Sequence, residues 1–235
     1  MKKIKFFTFI LLITVFTCIF ASANAQTNEI SINLKDFDRI QIGSAFVIDV
    51  TKTSQFSIKA KGDKENLDEL ESYVKEGELY IKYKENKWRR NKNGTVYLYI
   101  TMPELQGVTF SGASKSTVAG FSVKGTFKLS LSGASESKIN LKAENMDISL
   151  SGASNARVSG GNMSKMIAEL SGASELNAYD CEAESTKIRT SGASSARISV
   201  SSSLNADASG ASSIKYRGNP NVNSDSSGAS SISRD

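Results

Sequence analysis

The sequence predicts an all-β solenoid, and three observations lead there. The tetrapeptide Ser-Gly-Ala-Ser begins at Ser111, Ser132, Ser151, Ser171, Ser191, Ser209 and Ser227, at intervals of 18 to 21 residues. Recurrence near 20 residues marks repeat units that bury their apolar faces only against their neighbours. Around the motif the apolar residues share one parity: Ile148, Leu150, Ala156 and Val158 alternate with Asp147, Ser149, Asn155 and Arg157. Alternation of that kind gives a strand one buried and one solvated face. Only two prolines occur in 235 residues, so long stretches are free to form hydrogen-bonded ladders.

The N-terminus reads as a secretory signal peptide over residues 1–25. A basic start (Lys2, Lys3, Lys5) leads into an apolar run from Phe6 to Phe20, and Ala23-Asn24-Ala25 supplies a small-x-small cleavage pattern before Gln26. The run is about 15 residues, short of the roughly 20 needed to span a bilayer core. Cys18 suggests a lipoprotein box, but Val15-Phe16-Thr17 lacks the small residue expected just before it. Cleavage removes three lysines and no acid, leaving a net charge of +2. That balance argues against a nucleic-acid partner. No later run is long enough to span, so the mature chain is not expected to be an integral helical membrane protein. Cys181 alone remains, which excludes an internal disulfide and leaves either a small buried side chain or an intermolecular cross-link.

Residues 26–235 read as one continuous β-solenoid domain, with the seven marked turns in 108–235. Strands without the motif come first: Phe46, Ile48 and Val50; Phe56 and Ile58; Leu79, Ile81 and Tyr83; Val96, Leu98 and Ile100. Asp63 to Tyr73 fits a short helix capped by Asp63, with Leu67, Leu70 and Val74 at helical spacing, or a turn followed by a strand. Lys82 to Lys92 is basic around Trp88, Arg89 and Arg90, and Asn91 to Gly94 resembles a hairpin turn. This segment is a candidate contact for an anionic polymer or a sugar; the alternative is a solvated hairpin whose lysines discourage edge pairing.

Within the repeat, two frames are open. Unbroken parity turns the motif's Gly and second Ser inward and its first Ser and Ala outward; a bulge at the glycine would turn the Ala inward instead. Either way the motif is a corner of the coil. The residue before it runs Phe110, Leu131, Leu150, Leu170, Thr190, Ala208, Ser226, shrinking and turning polar towards a tapered C-terminal end. Just past the motif, Thr117, Lys138, Arg157, Asn177, Arg197 and Lys215 fall in one outward column. Stacked rungs about 4.8 Å apart make it a positive ridge that calls for neighbouring acids or an anionic ligand; a merely solvated face is the alternative.

The chemistry of common active sites is missing. The chain has no histidine, which removes Ser-His-Asp and Cys-His catalysis and imidazole metal sites. No phosphate-cradling or dinucleotide fingerprint is present. Gly160-Gly161-Asn162 resembles a calcium-binding β-roll turn but lacks the periodic Asp such turns need. Asp147, Glu169, Asp180 and Glu182 are scattered along the chain. No cofactor is expected.

Phe37-Asp38-Arg39-Ile40 with Phe46-Val47-Ile48-Asp49-Val50, the strand Gly77-Glu78-Leu79-Tyr80-Ile81 and the serial Ser-Gly-Ala-Ser turns resemble the putative auto-transporter adhesin head GIN domain family (DUF2807). The resemblance covers roughly residues 36 to 220. It implies a single-stranded, right-handed, parallel β-helix-like solenoid with rungs of about 20 residues, secreted or envelope-associated and common in Bacteroidetes-type bacteria. It transfers no catalytic residues, and the chain has no evident translocator barrel. The function expected is a non-catalytic, adhesin-like binding protein, exported to the periplasm, the outer-membrane surface or the medium. Its ligand would be a glycan, a polymer or a protein surface. Two other classes stand beside it: a structural module that self-assembles into homo-oligomers, and a carbohydrate-active enzyme built on a β-helix.

Overall fold

The computed structural model describes residues 28–84 and 94–235; the signal segment and the basic segment around Trp88, Arg89 and Arg90 lie outside them. The chain coils into a β-solenoid of about 6 turns. The first strands are β1 (Asn28–Ile32), β2 (Arg39–Gly43), β3 (Phe46–Lys52) and β4 (Ser57–Gly62). After them come the five-residue helix α1 (Lys64–Asp68), the hairpin β5 (Leu70–Lys75) and β6 (Glu78–Tyr83), then β7 (Val96–Met102) and β8 (Gly107–Ser111). The motif-bearing rungs are built from β9 (Lys115–Leu131), β10 (Glu136–Leu150), β11 (Asn155–Ser159), β12 (Met163–Leu170), β13 (Glu175–Thr190) and β14 (Ser195–Ala208). β15 (Ser213–Arg217) and β16 (Asn221–Ser226) form the next rung, and β17 (Ser231–Arg234) stacks on β15 to begin the last.

From β9 onward every pairing is parallel and joins one rung to the next. Long strands such as β10 run round more than one side of the coil, with register shifts at Asn140/Lys142 and Ala143/Asn145 where they bend. Gly160, at φ 122°, turns the corner between β11 and β12; a Cβ there would lie 2.4 Å from the Leu141 carbonyl oxygen. The Gly-Gly-Asn stretch is therefore a corner of the coil.

The N-terminal end departs from the uniform parallel ladder. β2 and β3 still pair in parallel, with β6 and β8 and with β7 and β9. Three antiparallel pairs cover that end: β1 with β4, β4 with β7, and β5 with β6. The hairpin closes through Glu76 and Gly77 at φ 51° and 73°, the positive pair that a two-residue turn between twisted strands requires. The Asp63–Tyr73 stretch resolves into both of the forms open to it. Leu67 lies in one helical turn, while Leu70 and Val74 sit on β5 opposite Tyr83 and Leu79. A short helix has a costly nucleus, and pairing along β6 outcompetes its extension. Asp63 makes no side-chain cap bond.

At each Ser-Gly-Ala-Ser corner neither anticipated frame holds in full. The second Ser is buried from Ser114 to Ser212, as unbroken parity requires, and half-buried at Ser230, but Gly and Ala are both exposed. The reason is conformational: Gly152, Gly172 and Gly192 have φ of 74°, 75° and 73°, and the left-handed residue swings the chain outward before the next strand re-enters the core. The buried serine closes the turn. Ser135, Ser154, Ser174 and Ser194 donate to the carbonyl of the motif's first Ser at 2.6 to 2.7 Å. A buried hydroxyl that finds its acceptor within the same corner avoids a desolvation cost of about 1–3 kcal/mol.

The core is one continuous column with its largest side chains towards the N-terminal end, among them Phe46, Phe110 and Phe127, and with Ala196, Ala206 and Ala208 towards the other. Phe110, Leu131, Leu150, Leu170, Thr190, Ala208 and Ser226 stack in register. Where the column turns polar, the Thr190 and Ser212 hydroxyls bond to each other at 2.9 Å. Cys181 is buried at 2% exposure, its Sγ 3.6 Å from the Ala178 carbonyl. Burial, with a smaller push from the nearby Asp180 carboxylate, raises its thiol to about 11.

Two outcomes test this fold. Gly172→Ala combines a positive φ with a Cβ 2.5 Å from the Gly152 oxygen, and should destabilise by about 2–4 kcal/mol. Gly125→Ala, at φ 91° with open space around it, should cost about 1 kcal/mol; urea unfolding midpoints compare the two. Native Cys181 should react with a thiol reagent at pH 8 about 100-fold more slowly than the unfolded chain. A folded-state value raised above the unfolded one means this contribution to stability is intact below the ordinary thiol value and falls as pH rises towards about 11.

Candidate functional site

Register stacking turns each outward position of the repeat into a column running along the solenoid. Two residues before each motif, Thr109, Ser130, Ser149, Glu169, Arg189, Asp207 and Asp225 are consecutive partners in the ladder. They form one wall of a groove of about 660 Å³, and the first serines of the motif, from Ser132 to Ser227, form the other. Backbone and side-chain edges of Leu131, Leu150 and Leu170 make its floor. Six rung steps at about 4.8 Å give a trough about 30 Å long. Its chemistry changes along that length, from hydroxyls at Thr109, Ser130 and Ser149 to charges at Glu169, Arg189, Asp207 and Asp225. Arg189 donates to Asp207 at 3.1 Å, so the charged stretch keeps an acidic excess from Glu169 and Asp225.

The column Thr117, Lys138, Arg157, Asn177, Arg197 and Lys215 is brought together as one ladder on a different side of the coil. Acids from other rungs meet three of its four cations. Arg157 lies 2.8 Å from Asp180, Arg197 lies 3.1 Å from Glu175, and Lys215 lies 4.0 Å from Asp235. Arg217 also donates to Asp235 and holds that carboxyl below its ordinary value, while its guanidinium covers the Tyr179 ring at 3.9 Å. Among the described residues, Lys138 makes no ion pair. It borders a smaller hollow of about 210 Å³ with Val47, Lys115, Thr117 and Glu136.

Asp147 stands on a third column, opposite Lys128 and Ile167, so the carboxylates of Asp147, Glu169 and Asp180 face different surroundings. Among the described residues no group of three Asp, Glu or Cys side chains is placed to hold a metal ion. The groove and its acids were missed in the sequence, although counting two residues back from each motif would have found them. A second omission is Tyr97 and Tyr99, the outward partners of the apolar run Val96, Leu98, Ile100; they are 40% and 44% exposed.

The same fold occurs in solved structures. A putative adhesin from Bacteroides fragilis superposes with a TM-score of 0.82 at 19% identity, covering 89% of this chain and 97% of its own. A putative adhesin from Parabacteroides distasonis gives 0.72 at 14% identity, covering 90% and 98%. A putative lipid binding protein from the same species gives 0.65 at 17% identity, covering 90% and 97%. No curated protein matches the chain. The model of the family described as putative auto-transporter adhesin, head GIN domain, matches residues 36–220, and the chain, with its stacked corners from Ser111 onward, belongs to that family.

Proposed function

We propose that this protein is an exported, non-catalytic, adhesin-like binding protein that holds an extended glycan chain in the groove along its serine corners. The observation that carries the reading is the groove itself: a straight trough about 30 Å long whose hydroxyls recur once per rung. A solenoid offers an extended surface rather than an enclosed pocket, and a sugar polymer presents hydroxyls at a comparably regular interval. Serine and threonine side chains donate and accept, so the wall from Thr109 to Ser149 can exchange hydrogen bonds with successive sugars. The acids at the other end suit a chain bearing amino groups. Membership of an adhesin family supports attachment to a surface, and the N-terminal signal pattern supports export.

Two outcomes test the reading. Ser151→Trp with Ser171→Trp places bulk at two exposed groove positions and should leave stability within about 0.5 kcal/mol. It should weaken retention on a panel of neutral and amino-bearing glycans at least tenfold, and unchanged retention across the panel would refute the groove as the seat. Cell fractionation followed by N-terminal sequencing should find the exported protein beginning at Gln26; a cytosolic protein that keeps Met1 would refute export.

A further inference from the structure

We propose a second binding site, on a different side of the coil from the groove, that takes acidic glycans: a platform of Tyr97 and Tyr99 bordered by lysines. Both rings stand on the outward face of β7, two residues and so about 7 Å apart. β7 lies inside the sheet, paired with β4 on one side and β3 on the other, so neither tyrosine is there to blunt an edge. Along one row Lys61 faces Tyr97, which is followed by Val47 and then Lys115; along the next, Lys59 faces Tyr99, followed by Asp49, Thr117 and Lys138.

Aromatic residues are common in strands because they pack on cross-strand neighbours. Here the directly opposed residues are Lys61, Val47, Lys59 and Asp49, so among the described residues no aromatic side chain opposes either ring. Lysine stems can lie along a ring, yet both tyrosines keep 40% or more of their surface open. Lysine is depleted from the cores of protein interfaces, which argues against a protein surface as the occupant. A sugar ring stacks on an exposed tyrosine face, and a carboxylate on that sugar needs a cation beside the stack. The hollow begins at Val47, the neighbour of Tyr97, and continues over Lys115, Thr117, Glu136 and Lys138 on the following strands, so it supplies that place for the next sugars of the chain. Lys115 is 4.0 Å from Glu136, and among the described residues Lys138 and Lys61 make no ion pair. The chemistry that matches is a sugar chain carrying uronic acids, its ring faces on Tyr97 and Tyr99 and its carboxylates at Lys115 and Lys138.

Titration calorimetry with oligogalacturonate, beside its carboxyl-reduced neutral counterpart, tests the site. The acidic oligomer should bind, at least tenfold more tightly than the neutral one and more weakly as salt rises. Tyr97→Ala with Tyr99→Ala should weaken it tenfold or more, Tyr97→Phe with Tyr99→Phe should retain it, and Lys115→Glu with Lys138→Glu should abolish it. The groove variant Ser151→Trp with Ser171→Trp should leave it unchanged, which separates this site from the groove. If the double alanine variant loses its circular dichroism spectrum, the lysine reversal at exposed positions decides alone. Absence of binding by the unaltered protein, equal affinity for the neutral oligomer, wild-type affinity in the folded alanine variant or in the lysine reversal, or loss of binding in the groove variant would each overturn the proposal.

Discussion

The structure depends on how closely successive corners approach. From the second marked turn onward the Ala N–H donates to the Gly carbonyl of the preceding rung at 2.7 or 2.8 Å. Glycine lies on glycine there, and any Cβ would fall inside the neighbour's backbone. Glycine at this position therefore meets two demands, a left-handed backbone and the absence of a side chain. The buried serine two residues on locks the turn to its own first residue. Once these corners stack in register, every other position of the repeat must stack too. The groove wall, the basic column and the apolar column are all consequences of that one contact.

Much of the architecture was open to reading because strand parity and a fixed tetrapeptide are local signals. The buried positions, the corners and the shrinking column from Phe110 to Ser226 follow from counting along the chain. What escaped was set by contacts between rungs. Asp180 reaches Arg157 across a register shift in β11 and β13, and Glu175 reaches Arg197 from 22 residues away. Repeat spacing carries no trace of such offsets. The antiparallel cover at the N-terminal end was hidden for a related reason: Leu67, Leu70 and Val74 suit a helix locally, and only pairing with β6 turns the chain from Leu70 onward into a strand. Tyr97 and Tyr99 were passed over because the buried parity of β7 identifies the strand, while recognition depends on the exposed one.

Interior and exterior change together along the coil. Where the core column runs from Phe110 to Leu150, the neighbouring outward wall is Thr or Ser; Leu170 stands beside Glu169, and where the column becomes Thr, Ala and Ser the wall becomes Arg and Asp. Apolar burial stabilises by about 25 cal/mol per Å², so each later rung gains less from its interior. Polar links take over there: the Thr190–Ser212 hydroxyl pair inside, and Arg189–Asp207 and Arg217–Asp235 outside. Exposed ion pairs contribute about 0–1 kcal/mol each and offset little of that loss. The acidic end of the groove is thus also the part of the coil with the smallest hydrophobic reserve.

A solenoid with columns on several sides separates the residues that stabilise it from those that face outward. Corner glycines and inward parity fix the rungs, while the residue two before each motif points outward and lines the groove. Substitution there redraws the groove without disturbing the glycine stack, as the run from Ser130 and Ser149 to Glu169, Arg189 and Asp207 illustrates within one chain. The tyrosine face obeys the same logic with opposite chemistry, aromatic and basic where the groove is hydroxylated and acidic. The two proposed sites would set surfaces of contrasting charge on one scaffold, each suited to a different polymer.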